Sequence, residues 1–249
     1  MKLTGNTIFI SGGTSGIGRA LAEALHDLGN QVIISGRRQA LFDEIIGARP
    51  GMQAIRLDIE DPRDIAQVSA RLIEQFPALN VVINNAGIMQ FDDASGSVDE
   101  AMLVSTVTTN LLGPIRLSAA LLEHLKTRPS ATIVNVSSVL GFVPMAMTAV
   151  YCATKAAVHS YTMSMRWRLR ESSVEVLELA PPWVQTDLLD SREEPRAMPL
   201  ADFIAETLAE LEKGGNEVLV DRARFMRANP GPKEYDFVQQ FNEALMQPA

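Results

Sequence analysis

Apolar residues fall into short β-branched runs separated by longer stretches with helical spacing. The runs Asn6–Ile10, Gln31–Ser35, Gln53–Leu57, Val81–Ile83, Thr132–Ser138, Ser173–Leu179 and Glu217–Val220 predict buried strands. Between them, Arg19–Leu25, Phe42–Ala48, a stretch through Phe76, Val98–Lys126, a segment from Tyr151 and Leu200–Lys213 carry helical periodicity. Asp61 before Pro62 is an N-cap followed by a first-turn proline, and Gly214-Gly215 stops the helix of Leu200–Lys213. The tail Tyr235–Met246 is weakly helical. Strand alternating with helix from end to end predicts a doubly wound, mainly parallel sheet with helices on both faces. In such a sheet a ligand lies across the C-terminal ends of the strands.

Composition narrows this reading. The 249 residues, 47% hydrophobic, suit one large α/β domain, and neither repeats nor a low-complexity linker divide it. A net charge of −8 argues against a nucleic-acid surface. A single cysteine, Cys152, excludes an internal disulfide framework and fits a reducing compartment. With no leader pattern and no apolar segment of spanning length, a soluble cytoplasmic protein is the expectation.

The features with chemistry sit at strand ends. The first strand runs into Ser11-Gly12-Gly13-Thr14-Ser15-Gly16-Ile17-Gly18, a glycine-rich turn that opens a helix. Strand, glycine turn and helix bring backbone N–H groups and a helix N-terminus up to a phosphate, as in a Rossmann-type dinucleotide fold. Gly12 permits the tight turn, Gly16 the approach of the pyrophosphate and Gly18 the helix–strand contact. The second strand ends at Gly36-Arg37-Arg38, where an NAD-binding chain would carry an acid for the ribose 2′-hydroxyl. Two arginines there favour a 2′-phosphate, hence NADP, with NAD still possible. Asp58-Ile59 ends the third strand, and Asn84-Asn85-Ala86-Gly87 ends the fourth with small residues that leave room for a planar ring.

Tyr151 and Lys155 stand one helical turn apart on one face. A phenol ionises near pKa 10 in water, and a neighbouring ammonium favours the phenolate. Ser138 ends the fifth strand and can present a hydroxyl towards the start of that helix. Together the three side chains offer a general acid/base and a donor for a substrate oxygen.

Ser11-Gly12-x-x-x-Gly16-Ile17-Gly18, Asn84-Asn85-Ala86-Gly87, Asn110, Ser138 and Tyr151-x-x-x-Lys155 together resemble the short-chain dehydrogenases/reductases. Pro181-Pro182-Trp183-Val184-Gln185-Thr186-Asp187 and Tyr151-Cys152-Ala153-Thr154-Lys155 are similar to the DltE-like branch of that family. The resemblance implies an NAD(P)-dependent oxidoreductase that interconverts a carbonyl and an alcohol by hydride transfer. It gives Tyr151 as acid/base and Lys155 as the group that depresses its pKa and holds the nicotinamide ribose. Ser138, not its neighbour Ser137, falls at the family's spacing and orients the substrate oxygen, while Asn110 supports a water-linked proton path. It further implies that Thr14, Ser15, Gly16 and Ile17 cradle the phosphates. Asp58 and Ile59 meet the adenine, Asn85, Ala86 and Gly87 line the adenosine half, and Val184 and Thr186 contact the nicotinamide amide. Ser11 stands where the family usually has Thr. Pro182 replaces a glycine and forbids positive φ, so the backbone there is expected to differ.

A homodimer or homotetramer is expected from the apolar helices through Asn110 and from Tyr151, and no metal centre is assigned. Asp187–Pro199 is a candidate lid. Met89, Phe91, Leu140, Phe142, Met145, Trp183, Leu188 and Leu189 flank the reacting position and point to a small-molecule substrate that is neutral and moderately bulky. A nucleotide-sensing protein without turnover is the competing reading.

Overall fold

The computed structural model describes residues 1–229 and 231–246. The strands are β1 (Thr7–Ile10), β2 (Gln31–Gly36), β3 (Gln53–Arg56), β4 (Val81–Asn84), β5 (Ala131–Val136), β6 (Val174–Leu179) and β7 (Glu217–Val218). They form one sheet in the order β3-β2-β1-β4-β5-β6-β7, every pairing parallel. The helices are α1 (Gly16–Asp27), α2 (Gln39–Ala48), α3 (Pro62–Gln75), α4 (Glu100–Val107), α5 (Gly113–Lys126), α6 (Ala149–Leu169), α7 (Leu200–Lys213), α8 (Asp221–Arg227) and α9 (Glu234–Met246).

The pleat sorts the strand residues onto two faces. Ile8, Ile10, Val32, Ile34, Val134 and Leu177 pack beneath α1, α2 and α7, whereas Phe9, Ile33, Val82, Ile133 and Val176 pack beneath α3, α5 and α6. Strands buried on both faces read as near-continuous apolar runs, which is why the sequence shows runs rather than alternation. After β3 the chain returns to the far side of β1, so the order reverses between β1 and β4. The glycine turn leaves β1 at that crevice, and β4 ends beside it.

The local signals act as expected at α3, where Asp61 accepts from Arg63 N at 2.8 Å and Pro62 fills the first turn. Two differences stand out. The stretch Val98–Lys126 is not one helix: a π turn at Thr108–Leu112 separates α4 from α5 and carries Asn110. The short helix α8 lies in a segment that carries no helical signal in the sequence analysis. The tail helix α9 does form, and it lies against the functional end of the sheet.

Candidate active site

The glycine turn is shaped for a phosphate. Gly12 and Gly16 take φ of 67° and 52°, which side chains rarely adopt. A Cβ on Gly12 would lie 2.8 Å from Ala86 Cα, and one on Gly18 would lie 2.2 Å from Asn85 Nδ2. Ser15 gives α1 no side-chain cap, so its first amide groups are left for a ligand. Ser11 Oγ accepts from both Asn85 N and Ala86 N at 3.1 Å, so the shorter hydroxyl residue ties the β1 and β4 turns together. A cleft of about 490 Å³ opens here, lined by Thr14, Ser15, Gly16, Arg38, Thr186 and Asp187 among others. These features fit a dinucleotide pyrophosphate.

The two arginines after β2 part company. Arg38 donates to Ser15 Oγ at 3.3 Å and lines the cleft. Arg37 faces Glu60 at 3.8 Å and is largely exposed. Asp58 is half-buried at the end of β3, where its Oδ1 accepts from Glu60 N, and Ile59 packs beside Gly113. Thr186 and Val184 are buried, with Thr186 across from Gly16. Pro181 O accepts from Val139 N, which binds the loop after β6 to the loop that carries Ser138.

Tyr151, Lys155 and Ser138 come together at the ends of β5 and α6, all buried. Lys155 Nζ donates to Val136 O at 2.9 Å and lies 5.6 Å from the Tyr151 ring centre. Ser138 Oγ accepts from Leu140 N at 3.1 Å, shaping the turn that follows. The sequence reading expects Lys155 to depress the phenol. Instead burial pushes Tyr151 up to about 12, against a smaller opposite pull from the Ser138 hydroxyl. Burial also pushes Lys155 down to about 8. Desolvation disfavours both charged forms and is the largest cause of each shift.

Asn110 is a fully engaged amide. It donates to Ile88 O and accepts from Ile88 N, both at 2.8 Å, and donates to Thr154 Oγ1 at 3.3 Å. The π turn opens the helix at this residue and joins the β4 loop to α6.

An apolar group surrounds Tyr151: Met145 and Cys152 are buried beside it, with Met89, Leu140, Leu189, Phe241 and Leu245 packed around. Three of the expected wall segments contribute. The fourth wall, Phe241 and Leu245 of α9, was missed by sequence reasoning. Asn242 fastens that helix by donating to Pro144 O at 3.0 Å and accepting from Ala146 N at 2.5 Å. The segment 187–199 is folded back by a parallel bridge between Val184 and Met198, with Leu189 and Asp190 at positive φ. Its Arg192 pairs with Asp187, and its Arg196 pairs with Glu194 at 2.8 Å and stacks on Trp183. Phe91, exposed to 63%, points away from the apolar group.

Beside this site His159, Glu178 and Glu217 bring possible ligand atoms within 4.8 Å of one another. Arg227 already holds both oxygens of Glu217 at 2.9 Å, and Ser137 and His159 hold those of Glu178. The cluster is a closed network of ion pairs and hydrogen bonds.

The comparisons with known proteins agree with this architecture. The short chain dehydrogenase family model matches residues 6–197. Over 233 residues the chain is 38% identical to the uncharacterized oxidoreductase DltE of Bacillus subtilis, covering 91% of this chain and 92% of that one. It is 33% identical over 184 residues to sulfoacetaldehyde reductase 2 of Chromohalobacter salexigens, covering 72% and 73%. A short chain dehydrogenase of Burkholderia cenocepacia in complex with NADP has the same fold, with a TM-score of 0.83, 24% identity and 100% of both chains covered. One from Burkholderia phymatum in complex with NAD matches at a TM-score of 0.82 and 20% identity, over 100% of this chain and 98% of that one. The chain belongs to the short-chain dehydrogenase/reductase family, resembles its DltE-like branch, and is an NAD(P)-dependent dehydrogenase/reductase. No helix among the described residues is long and apolar enough to cross a membrane.

Proposed function

We propose that the chain is an NADP-preferring carbonyl reductase whose general acid is Tyr151 and whose substrate is a neutral, moderately bulky ketone or aldehyde. The observation that carries this reading is the Tyr151 phenol, buried beside the Ser138 hydroxyl and pushed up to about 12. A phenol is protonated at neutral pH and burial keeps it so, which is the form required to give a proton to a carbonyl oxygen as it gains negative charge.

In this reading Gly12, Thr14, Ser15, Gly16 and Ile17 hold the pyrophosphate, and Arg38 takes the 2′-phosphate with Arg37 behind it. Asp58 and Ile59 meet the adenine, and Asn85 to Gly87 flank the adenosine half. Lys155 holds the nicotinamide ribose, with Val184 and Thr186 on the ring amide. When bound, the cofactor supplies the hydride that reaches the carbonyl carbon. Ser138 donates to the carbonyl oxygen and fixes its direction. Tyr151 then releases its proton to that oxygen, giving the alcohol, and Lys155⁺ stabilises the phenolate left behind. Asn110 contributes by holding Ile88, and so the Met89 wall, in place.

The substrate class follows from the walls. Met89, Leu140, Met145, Leu189, Phe241 and Leu245 carry no charge, and burying apolar surface gains about 25 cal/mol per Å² while desolvating an ion opposes binding. The lid arginines that could recruit an anion each face a carboxylate of the same loop. One relative is named for reducing sulfoacetaldehyde, an anionic substrate, which makes that compound a useful contrast. The test is a panel of ketones and aldehydes read at the NADPH absorbance. Turnover of neutral aryl or alicyclic ketones supports the reading. A panel in which NADPH binds and no carbonyl is reduced would overturn it.

A further inference from the structure

The sheet face under α6 is apolar near the strand starts and turns polar near their ends, where Asn135, Ser137 and Glu178 replace Ile133 and Val176. Glu178 is the unusual member. It is a carboxylate with 0% exposure near the end of β6, one strand in from the sheet edge, on a strand that contributes no side chain to the proposed chemistry. Such a group persists only where its oxygens are satisfied. One oxygen accepts from Ser137 Oγ at 2.5 Å, and the other faces His159 Nδ1 at 2.7 Å.

Those two partners belong to the two elements that carry the reacting side chains. Ser137 precedes Ser138 at the end of β5. His159 lies on α6 two turns beyond Tyr151 and one beyond Lys155, on the same face. Further ties continue along the same seam: Lys155 Nζ to Val136 O at 2.9 Å, Asn135 Nδ2 to Thr162 Oγ1 at 3.0 Å and Arg166 Nε to Val176 O at 2.8 Å. The Phe142 ring meets the His159 ring edge-on at 4.9 Å, and the Arg227 guanidinium stacks over Phe142.

We propose that Glu178 is a positioning residue for the reaction, a two-armed clamp that fixes Ser138 on β5 relative to Tyr151 on α6. Misplacement of catalytic groups by a fraction of an ångström is enough to lower turnover, so a clamp of this kind acts on kcat. Most of the proposed dinucleotide contacts, from the glycine turn to Arg38, lie away from the clamp, so affinity for the cofactor should change little. The inference rests on the reading of Ser138 and Tyr151 as the reacting pair.

The test uses the full chain with a carbonyl the parent reduces. Ser137→Ala cuts the strand arm by removing one oxygen atom. Glu178→Leu cuts both arms, and Glu178→Gln keeps an acceptor for Ser137 and a donor for neutral His159. We expect Ser137→Ala and Glu178→Leu each to lower kcat by about ten-fold or more, with KM and NADPH affinity within about two-fold of the parent. The double variant should fall little further, because both changes break one link. Glu178→Gln should recover most of the lost turnover. Parent-like kcat in Ser137→Ala, or Glu178→Gln as impaired as Glu178→Leu, overturns the clamp. Should Glu178→Leu not fold, Ser137→Ala with Glu178→Gln decides the matter alone. Tyr151→Phe run alongside separates the two ideas. If it keeps full turnover, the catalytic reading fails and the clamp with it; if it is inactive while Ser137→Ala is not, only the clamp fails.

Discussion

Lys155 Nζ lies 5.6 Å from the centre of the Tyr151 ring and donates to Val136 O, so the ammonium faces the phenol while tied to the strand that leads to Ser138. The pair shares one buried environment, and burial pushes the phenol up to about 12 and the ammonium down to about 8. Reduction and oxidation therefore place opposite demands on the same phenol.

Tyr151→Phe retains the ring and removes the proton donor. Reductive turnover is expected to fall by about 10²–10⁴, the usual contribution of general acid/base catalysis, with NADPH affinity unchanged. Steady-state rates and a fluorescence titration check the two halves. Near-parental turnover would remove Tyr151 from the chemistry.

The depressed Lys155 pKa gives a pH dependence with a defined sign. Below about 8 the native ammonium is charged and stabilises a developing phenolate; above it that charge is lost. Reductive kcat/KM should be level up to about pH 8 and decline beyond, and a level profile to pH 10 would contradict the role given to Lys155. Stability moves the other way. An unfolded lysine titrates near 10.4, so between about 8 and 10.4 the unfolded state binds more protons and native stability rises with pH. Lys155→Met should gain at most about 3 kcal/mol below pH 8, less the lost bond to Val136 O, with the gain fading towards pH 10. Denaturant unfolding at pH 7 and 10 reads this difference. Above pH 10 the raised Tyr151 pKa adds the opposite slope, since the unfolded phenol loses its proton first.

For cofactor choice, Arg38 is expected to matter more than Arg37. Arg38 lines the cleft and reaches Ser15, whereas Arg37 already faces Glu60. A charge-assisted phosphate contact contributes about 1.5–3 kcal/mol, or roughly ten- to hundred-fold in affinity. Arg38→Ala should narrow the NADPH-over-NADH preference by that factor, and Arg37→Ala by less. Equal affinities for both cofactors in the parent would mean that neither arginine reads the phosphate.

The proposed substrate class rests on the apolar group around Tyr151. A neutral alicyclic ketone should show higher kcat/KM than a keto acid of similar size or sulfoacetaldehyde. Phe241→Ala should enlarge the pocket and improve relative turnover of bulkier ketones, whereas Asn242→Ala, which frees α9 from Pro144 and Ala146, should raise KM. Faster reduction of the anions would point to Arg192 or Arg196 instead.

On the helices α4 and α6, Val104, Met163 and Trp167 are exposed to 52%, 43% and 66%. Exposed apolar side chains that gather into a patch mark protein contacts, and a homodimer or homotetramer is expected through these helices. Light scattering at micromolar concentration should give a multiple of the monomer mass, reduced by Trp167→Glu. A monomeric parent removes the idea.

Much of the fold was legible because strands buried on both faces leave continuous apolar runs, and because Asp61-Pro62 and Gly214-Gly215 are local stop and start signals. The break at Asn110 was not. A π turn inserts a residue without disturbing apolar spacing enough to show, and its cause lies in bonds from Asn110 to Ile88, far back in the chain. The same holds for α9, whose place depends on Asn242 reaching Pro144 and Ala146. Glu178 did leave a trace, a glutamate inside the apolar run Val176-Leu177-Glu178-Leu179, and its meaning appears only with Ser137 and His159 beside it. Residue types alone predicted a phenol depressed by Lys155 but not the burial that raises it instead.

The ties from Ser11 to Asn85 and Ala86, with Gly12 packed against Ala86, join turns more than seventy residues apart in the chain. Each turn braces the other, so the glycine turn gains its full set of contacts only when β4 has docked on β1. Dinucleotide affinity therefore reports on the assembled sheet and not on the glycine motif. By mass action the bound nucleotide favours native over unfolded chains, so the midpoint of unfolding should climb with cofactor concentration. A fragment ending before β4 would carry every glycine of the motif and still lack the wall that gives the turn its form.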